Sequence, residues 1–223
     1  MPGLTVDTEG RSLRILDLPE AAVVLYPAFF SGLVADRLLR ELRDTTAWRR
    51  ETITLYGKTI DVPRLTAWYG DEGTSYIYSG IRNEPLPWTP VLGEIKRAVE
   101  PPARVVFNSV LLNRYRTGQD SVSWHADDEP EFGEQPVIAS VSFGGTRTFQ
   151  FKHKKREESK ASVELTHGSL LIMRGGTQAN WLHRIPKTAR MVEERLNLTF
   201  RAILAPESSG TGSRNTPGQA IRA

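Results

Sequence analysis

Hydrophobic residues in the first half of the chain recur at helical spacing in two places. The first predicted helix covers residues 31–44, where Ser31 is a suitable cap and three apolar residues follow at a spacing of four. The second begins at Thr89, a capping residue followed by proline at the first helical position, and is predicted to stop at Pro101 and Pro102. The pattern therefore predicts two helices ahead of the remaining elements.

From residue 104 onwards the pattern changes to short runs of β-branched and aromatic residues separated by glycine-containing turns. Such runs at regular intervals are typical of an antiparallel sandwich or jelly roll. The aromatic-rich stretch 48–80 also has the character of strands. The main predicted strands cover residues 104–115, 137–143, 146–152, 169–173 and 195–204.

The two ends of the chain depart from this pattern. Residues 1–14 have no sustained periodicity, which predicts a flexible arm. Residues 206–223 are rich in Ser, Gly, Thr and Pro, which predicts a disordered tail. The chain of 223 residues has a size that suits one domain.

Composition excludes several kinds of site. The chain has no cysteine, so disulfides and thiolate metal sites are excluded and a metal would need His, Asp or Glu ligands. No apolar run has the length of a bilayer span and the N-terminus lacks the pattern of a secretory signal, so we expect no membrane association. The formal net charge of +3 permits a polyanionic partner, although the densest basic run, residues 152–156, is on composition alone typical of a solvated loop.

Three residues suit a metal site built without thiolates. His125 and Asp127 are two residues apart, so an extended backbone directs both side chains to the same face. The best third ligand is His183, because His167 precedes a predicted turn and His153 lies in the basic run. Two histidines and one carboxylate form the facial triad of non-haem iron(II) oxygenases. The alternative is chance, since so short a pattern is common and a lone histidine on a strand is usually structural.

A second set of polar residues suits a small dicarboxylate. In the last predicted strand Arg195, Asn197 and Arg201 lie on one face. Asn113 and Tyr115 form a similar pair on the strand that precedes the triad. Guanidinium groups bind carboxylates through two parallel hydrogen bonds. The alternative is a half-buried strand with one face in water, which is a common arrangement in antiparallel sheets.

The order and spacing of these motifs resemble the AlkB family of demethylases that act on alkylated nucleic-acid bases. The resemblance covers residues 29–204, and the members acting on nuclear DNA in animals have nearly the same Asp-Asp-Glu and Leu-Thr-Phe-Arg strings. The motifs that carry it are Asn113-Arg114-Tyr115, His125-Ala126-Asp127-Asp128-Glu129, Ser142-Phe143-Gly144, His167-Gly168-Ser169-Leu170, His183 and Arg195-x-Asn197-x-Thr199-Phe200-Arg201.

The resemblance implies a fold class and a domain organisation. The expected fold is mostly β, of the α+β class, with a double-stranded β-helix (jelly roll) core, flanking N-terminal helices and a β-hairpin lid that recognises the nucleotide. The dioxygenase domain would cover residues 15–205, with the lid at about 46–83 and the core at about 103–205.

The resemblance also implies roles for individual residues. Iron(II) would be bound by His125, Asp127 and His183, which makes them the catalytic centre. The residues implied to hold 2-oxoglutarate are Asn113, Tyr115, Arg195, Asn197 and Arg201. The residues implied to contact the damaged base are Asp128 and Glu129, which face its exocyclic amino group, and the lid aromatics Tyr69, Tyr76 and Tyr78.

Two further segments resemble parts of the members that repair duplex DNA. Tyr56 lies at the tip of a predicted hairpin ahead of Pro63 and Arg64, where those members have an aromatic finger that fills the gap left by a flipped base. The alternative is an ordinary hairpin whose tyrosine packs back on the sheet. The basic run matches a loop that holds the opposite strand, and its predicted contacts are Lys152, His153 and Lys154. Arg64 is also predicted to contact the substrate.

The activity implied by the resemblance is direct-reversal repair of alkylated DNA. Iron(II), 2-oxoglutarate and O2 would oxidise the N-methyl group of 1-methyladenine or 3-methylcytosine, which releases formaldehyde and restores the base. The target base must be flipped out or single-stranded to reach a buried metal. We expect a monomer that acts on single-stranded and double-stranded DNA, in the bacterial cytoplasm or in the nucleus if the source is eukaryotic.

Three other functions are compatible with parts of the sequence. The same pocket could accept a base in RNA, which differs from DNA by its 2′-hydroxyl. A more distant alternative is a 2-oxoglutarate-dependent protein hydroxylase, although the aromatic lid and the basic run argue against it. A jelly roll can also be a non-catalytic binding module, but the complete triad and the Arg-Asn-Arg strand argue against that function.

Overall fold

The structure is a computed structural model that describes residues 5–55, 58–74, 76–78 and 81–204. Its helices are α1 (Gly32–Thr45), α2 (Pro90–Ala103) and α3 (Thr177–Asn180), with a 3-10 turn at Pro130–Phe132. Its strands are β1 (Thr5–Val6), β2 (Ser12–Leu16), β3 (Ala22–Tyr26), β4 (Arg49–Leu55), β5 (Lys58–Gly70), β6 (Tyr76–Tyr78), β7 (Ile81–Asn83), β8 (Ser109–Tyr115), β9 (Val122–His125), β10 (Ile138–Gly144), β11 (Arg147–His153), β12 (Lys160–Leu165), β13 (Ser169–Arg174), β14 (Trp181–Ile185) and β15 (Arg195–Arg201).

Two antiparallel sheets make up the jelly roll. The major sheet has nine strands in the order β1-β2-β3-β13-β10-β15-β8-β5-β4, and the minor sheet has four in the order β12-β11-β14-β9. The eight strands from β8 to β15 are divided equally between the two sheets, which is the arrangement of a double-stranded β-helix. The predicted fold class is therefore confirmed.

The major sheet is buried on both of its faces. Helices α1 and α2 contact β10 and cover one face, where a core contains Leu38, Leu42, Ile95, Val99, Val141, Leu196, Leu198 and Phe200. A second core lies on the side of the minor sheet and contains Tyr115, Phe149, Phe151, Leu171, Met173, Trp181 and Ile185. Strand β15 contributes its leucines to the first core, so its polar side chains point into the interior. The alternative of a strand with a wet face is wrong for β15.

Helix α2 continues past the point where it was predicted to stop. Pro101 and Pro102 lie inside its last turn, and the helix ends at Arg104, whose left-handed backbone (φ 55°) closes the turn with a hydrogen bond from its N–H to Glu100 O. The prolines weaken this last turn, but Val99 and Ala103 bury their side chains in the core and stabilise it.

The N-terminal segment is more regular than the sequence predicted. A flexible arm was expected over residues 1–14, but β1 pairs with β2, and β2 pairs with β3, which joins the major sheet at β13. These strands are short, so they gain most of their order from neighbours that a local pattern does not reveal. None of the helices in the described ranges has the length and apolar character of a membrane span.

Candidate metal and cosubstrate site

The pairing of two minor-sheet strands brings two predicted metal ligands together. In the register of β14 with β9, His183 lies directly opposite His125, and their ring centroids are 4.3 Å apart. Strand β9 ends at His125, so Asp127 lies in the loop that follows rather than on the strand as predicted. One ligand atom from each of the three residues falls within 4.8 Å of the others. Among the described residues this is the cluster with the geometry to hold a metal ion.

The hydrogen bond of His125 determines which of its nitrogens is available. Its Nδ1 lies 2.8 Å from the carbonyl oxygen of Ser123. A carbonyl oxygen only accepts, so Nδ1 carries the proton and the lone pair of Nε2 is free to bind a metal.

The environment of His183 keeps that imidazole neutral. Its ring stacks on Phe149 at a centroid distance of 5.1 Å, and its side chain is buried. Burial, followed by the neighbouring His125, lowers the pKa of His183 to about 3. A neutral imidazole is the form that binds metals.

Asp127 is a buried carboxylate that stays ionised. Burial by itself would raise its pKa, but Arg201 and the two histidines outweigh burial, and the pKa is lowered. Arg201 Nη2 donates to its Oδ1 at 2.6 Å, and its own backbone N–H donates to the side-chain oxygen of Gln178 at 3.0 Å. Its other oxygen, Oδ2, lies 3.8 Å from His183 Nε2. Asp127 therefore has one carboxylate oxygen free to bind a metal beside His183.

The donors of this cluster fit iron(II). Two imidazoles and one carboxylate are the ligands of the facial triad, and they leave three adjacent positions for other ligands. The sequence does not indicate a role for Gln178, because it lies far from Asp127 in the chain and no periodicity marks it.

The buried guanidinium of Arg195 is the strongest indication of an anion site on β15, the strand that also carries Arg201. Arg195 is 1% exposed, and its Nη2 donates to Ser142 Oγ at 2.9 Å. Within the described ranges its Nε and Nη1 have no hydrogen-bond partner, and no carboxylate pairs with it. Burial lowers the pKa of Arg195 to about 10, so it remains charged at neutral pH. A buried cation without an anion is unfavourable, and the carboxylate of a ligand would satisfy it.

The other predicted cosubstrate residues lie on the two strands next to this guanidinium. Tyr115 of β8 is opposite Arg195 of β15, and its ring lies 5.0 Å from the guanidinium carbon. Asn113 is opposite Asn197 in the same register. All five predicted residues, including Arg201, therefore lie on the paired strands β8 and β15.

Hydrogen bonds within the protein already engage the two asparagines. Asn197 Nδ2 donates to Ser140 Oγ and to Val141 O, each at 2.8 Å. Asn113 Oδ1 accepts from Arg64 Nε at 2.5 Å, and Arg64 also donates to Ser121 O. Arg64, which was predicted to contact DNA, is thus half-buried and supports the cosubstrate strands.

Two residues predicted to contact nucleic acid have buried side chains in the structure. Tyr69 belongs to the core beneath the helices, and its hydroxyl accepts a hydrogen bond from the backbone N–H of Ala47 at 3.0 Å. His153 is 4% exposed rather than solvated. Its Nδ1 accepts from the backbone N–H groups of Lys155 and Arg156, and its Nε2 faces Glu20. Strand alternation turns both side chains inward, and this orientation depends on the sheet face that packs.

The predicted base contacts Asp128 and Glu129 lie in the described part of the chain, whereas the side chains of the remaining predicted aromatic contacts do not. Asp128 is exposed and pairs with Lys154, whose ammonium also donates to Gln178 O, each at 2.8 Å. Glu129 is half-buried ahead of the 3-10 turn. Tyr76 and Tyr78 lie on β6, but their side chains are outside the described part, and Tyr56 is outside it entirely.

Comparison with known proteins agrees with this geometry. Residues 22–201 match the model of the 2OG-Fe(II) oxygenase superfamily. Human alpha-ketoglutarate-dependent dioxygenase alkB homolog 3 is 45% identical over 208 residues, which cover 89% of this chain and 72% of the human protein. The chain belongs to the AlkB family. Mouse DNA oxidative demethylase ALKBH2, another relative of this AlkB family member, is 39% identical over 189 residues, or 80% of this chain and 79% of the mouse protein.

A solved structure supports the fold of this AlkB family member. The structure of OsALKBH1 has a TM-score of 0.59 and 17% sequence identity, and the match covers 85% of this chain and 99% of that one. Membership of the 2OG-Fe(II) oxygenase superfamily implies iron(II), 2-oxoglutarate and O2, and the chain has a His-Asp-His cluster whose donors suit that metal.

Proposed function

We propose that the protein is an oxidative demethylase of N-alkylated nucleic-acid bases, with 1-methyladenine and 3-methylcytosine in DNA as its substrates. The observation that carries the proposal is the buried Arg195, which has no carboxylate partner among the described residues and lies on the same strand as Arg201, the arginine that holds Asp127 of the His-Asp-His cluster. Its guanidinium fits the second carboxylate of 2-oxoglutarate. The human relative is named a dioxygenase and the mouse relative a DNA oxidative demethylase, and these names support oxidative demethylation of DNA as the reaction.

The chain's own residues would prepare the site for this reaction. His125, Asp127 and His183 would hold iron(II), and the bond from Arg201 restricts Asp127 to one metal-binding oxygen. Arg195 would anchor the far carboxylate of 2-oxoglutarate and so orient its keto acid end. When bound, iron(II) with 2-oxoglutarate and O2 supplies the oxidant that hydroxylates the N-methyl carbon, after which formaldehyde leaves and the base is restored.

Base recognition is proposed for the loop that follows the triad. Glu129 and Asp128 come directly after Asp127 and are acceptors suited to the exocyclic amino group of adenine or cytosine. Lys154 fixes Asp128 at the surface, which leaves Glu129 as the half-buried acidic side chain of the pair. Tyr76 and Tyr78 are proposed to stack on the flipped base, as aromatic residues do for unpaired bases.

The proposal is tested by measuring succinate and formaldehyde with a panel of oligonucleotides. Each would carry one lesion, in single-stranded or double-stranded DNA or in RNA. We expect both products in equal amounts with methylated DNA and little formaldehyde with unmodified DNA. Turnover confined to RNA would replace the DNA assignment, and succinate formation that no methylated oligonucleotide stimulates would contradict base demethylation.

Replacing Tyr56 by alanine is expected to reduce repair of duplex DNA by roughly tenfold or more, with a smaller effect on single strands. In a duplex, the tyrosine ring would fill the space left by the flipped base and so offset a few kcal/mol of unstacking. Leu55 and Lys58, which lie on either side of Tyr56 and Gly57 in the sequence, pair across β4 and β5. The measurement compares kcat/KM on matched single-stranded and double-stranded substrates, with Tyr56→Phe as the control that keeps the ring. Equal losses on both substrates would rule out a wedge.

A further inference from the structure

The outer face of the minor sheet carries a group of cations around one tryptophan. His125 and His183 point to the metal cluster, so Trp124 and Arg184, which neighbour them on β9 and β14, point to the opposite face. The guanidinium carbon of Arg184 lies 4.4 Å from the centroid of the Trp124 ring, and Lys152 Nζ of β11 lies 5.1 Å from it. Lys160 of β12 is directly opposite Lys152. We name these four residues the sheet platform.

The cations of the sheet platform lack acidic partners. Within the described ranges, no carboxylate lies within ion-pair distance of Lys152, Lys160 or Arg184. Arg184 donates to the neutral Gln150, and Glu164, on the same face of β12, accepts from Thr148. Like charges that face each other across two strands are destabilising. The arrangement therefore has a cost in stability that a polyanionic ligand would reverse.

Two cations further along the basic run of residues 152–156 differ in this respect. Lys154 is paired with Asp128, and Arg156 is paired with Glu20. Exposed cations that already have acidic partners contribute less to binding an external anion, because the local charges cancel. Lys154 and Arg156 are thus less available to an external anion than the three cations of the sheet platform, one of which, Lys152, begins the same basic run.

The platform is suited to a flexible polyanion that also reaches the metal cluster. Strand β9 is the edge of the minor sheet, so a chain leaving the interior can pass around this edge onto the outer face. Trp124 orders the long side chains of Lys152 and Arg184 by cation–π contacts, which reduces the entropy lost when they bind phosphates.

We propose that the sheet platform binds the sugar-phosphate backbone of the substrate strand a few nucleotides away from the base being demethylated. This inference rests on the proposed function, since it assigns a path to the same substrate. It adds that recognition depends on strand length and not only on the lesion, because a very short substrate does not extend to the outer face.

The test is a variant in which Lys152, Lys160 and Arg184 are all changed to Gln. The control changes Arg40, Arg43 and Arg97, which are exposed on α1 and α2 on the far side of the major sheet, to Gln and removes the same number of positive charges. Both variants and the unchanged protein are compared on a methylated trinucleotide and on a methylated single strand of about 15 nucleotides, within the range that single-strand binding sites cover.

We expect the platform variant to lose the preference for the longer strand. Its affinity for that strand should fall roughly tenfold or more, and the salt dependence of binding should weaken by about 2 in log–log slope, at about 0.7 per phosphate contact. The control should keep both the preference and the slope. A platform variant that behaves like the control would overturn the inference.

Failure of the proposed function would give a different result. Binding of an unmodified single strand requires no turnover, so its salt dependence reports on the platform alone. A protein that binds this strand through the platform but releases no formaldehyde from any methylated oligonucleotide would retain the inferred surface and lose the proposed activity.

Discussion

Replacing His125, Asp127 or His183 by alanine is expected to abolish formaldehyde release. Each change leaves two protein ligands where a facial triad needs three, so iron(II) would bind weakly and in the wrong geometry. His125 and His183 make few hydrogen bonds to residues outside the metal cluster, so their alanine variants should remain folded. Asp127→Ala should show the largest loss of stability, because Arg201 then keeps a largely buried charge without its carboxylate.

The triad prediction is checked by measuring turnover, metal binding and thermal unfolding on the same samples. The control is His167→Asn, a histidine that contacts Asp36 and the backbone of Gly144 instead of the cluster. We expect this variant to be active, with any defect confined to stability. Near-normal turnover in the His183→Ala protein would show that the third ligand has been assigned to the wrong residue.

Replacing Arg195 by methionine is expected to raise the 2-oxoglutarate requirement steeply. Loss of a buried charge partner costs on the order of 2–5 kcal/mol, or about 30-fold to several thousand-fold in affinity. The variant should nevertheless fold as well as the unchanged protein without cosubstrate, because methionine removes a buried guanidinium that has unpartnered nitrogens. A loss of 2-oxoglutarate affinity without a loss of stability is expected only if the missing partner of Arg195 is a ligand.

The measurement is thermal unfolding with and without 2-oxoglutarate, alongside its half-saturation in turnover. We expect Arg195→Met to lose the stabilisation by 2-oxoglutarate and to keep iron(II) binding. Arg201→Met is the informative comparison, because Arg201 holds the metal ligand Asp127 and its loss should weaken metal binding as well. Unchanged half-saturation in both variants would remove these arginines from the cosubstrate site.

The sequence by itself determined the residue types of the site and the faces on which several of them lie. The absence of cysteine restricted a metal to His, Asp or Glu, and the alternation along β15 put Arg195, Asn197 and Arg201 on one side. These inferences succeed because donor chemistry and the two-residue repeat of a strand are local properties. The jelly roll was predicted for the same reason, from many short strands separated by turns.

Tertiary structure decided which of these residues meet. The pairing of β14 with β9 sets His183 against His125, and the loop after β9 delivers Asp127 to them. Strand β15 is buried between two layers, so the polar face that the sequence alone could place in water lies in the interior. This burial leaves the Arg195 guanidinium without a carboxylate partner among the described residues. Strand register and packing depend on residues distant in the chain, so no local pattern specifies them.

Tertiary structure also decided which side chains are available to a ligand. From the sequence, both His153 and Tyr69 are predicted to contact the substrate. In the structure, their side chains lie on the faces of their strands that pack against the interior, so both are buried. Likewise Lys154 and Lys152 are equivalent in a basic run, yet Asp128 neutralises the first, and the second lies over Trp124 without an acidic partner. A sequence gives the charges of a segment, whereas their effect depends on the neighbours that folding brings within a few ångströms of each one.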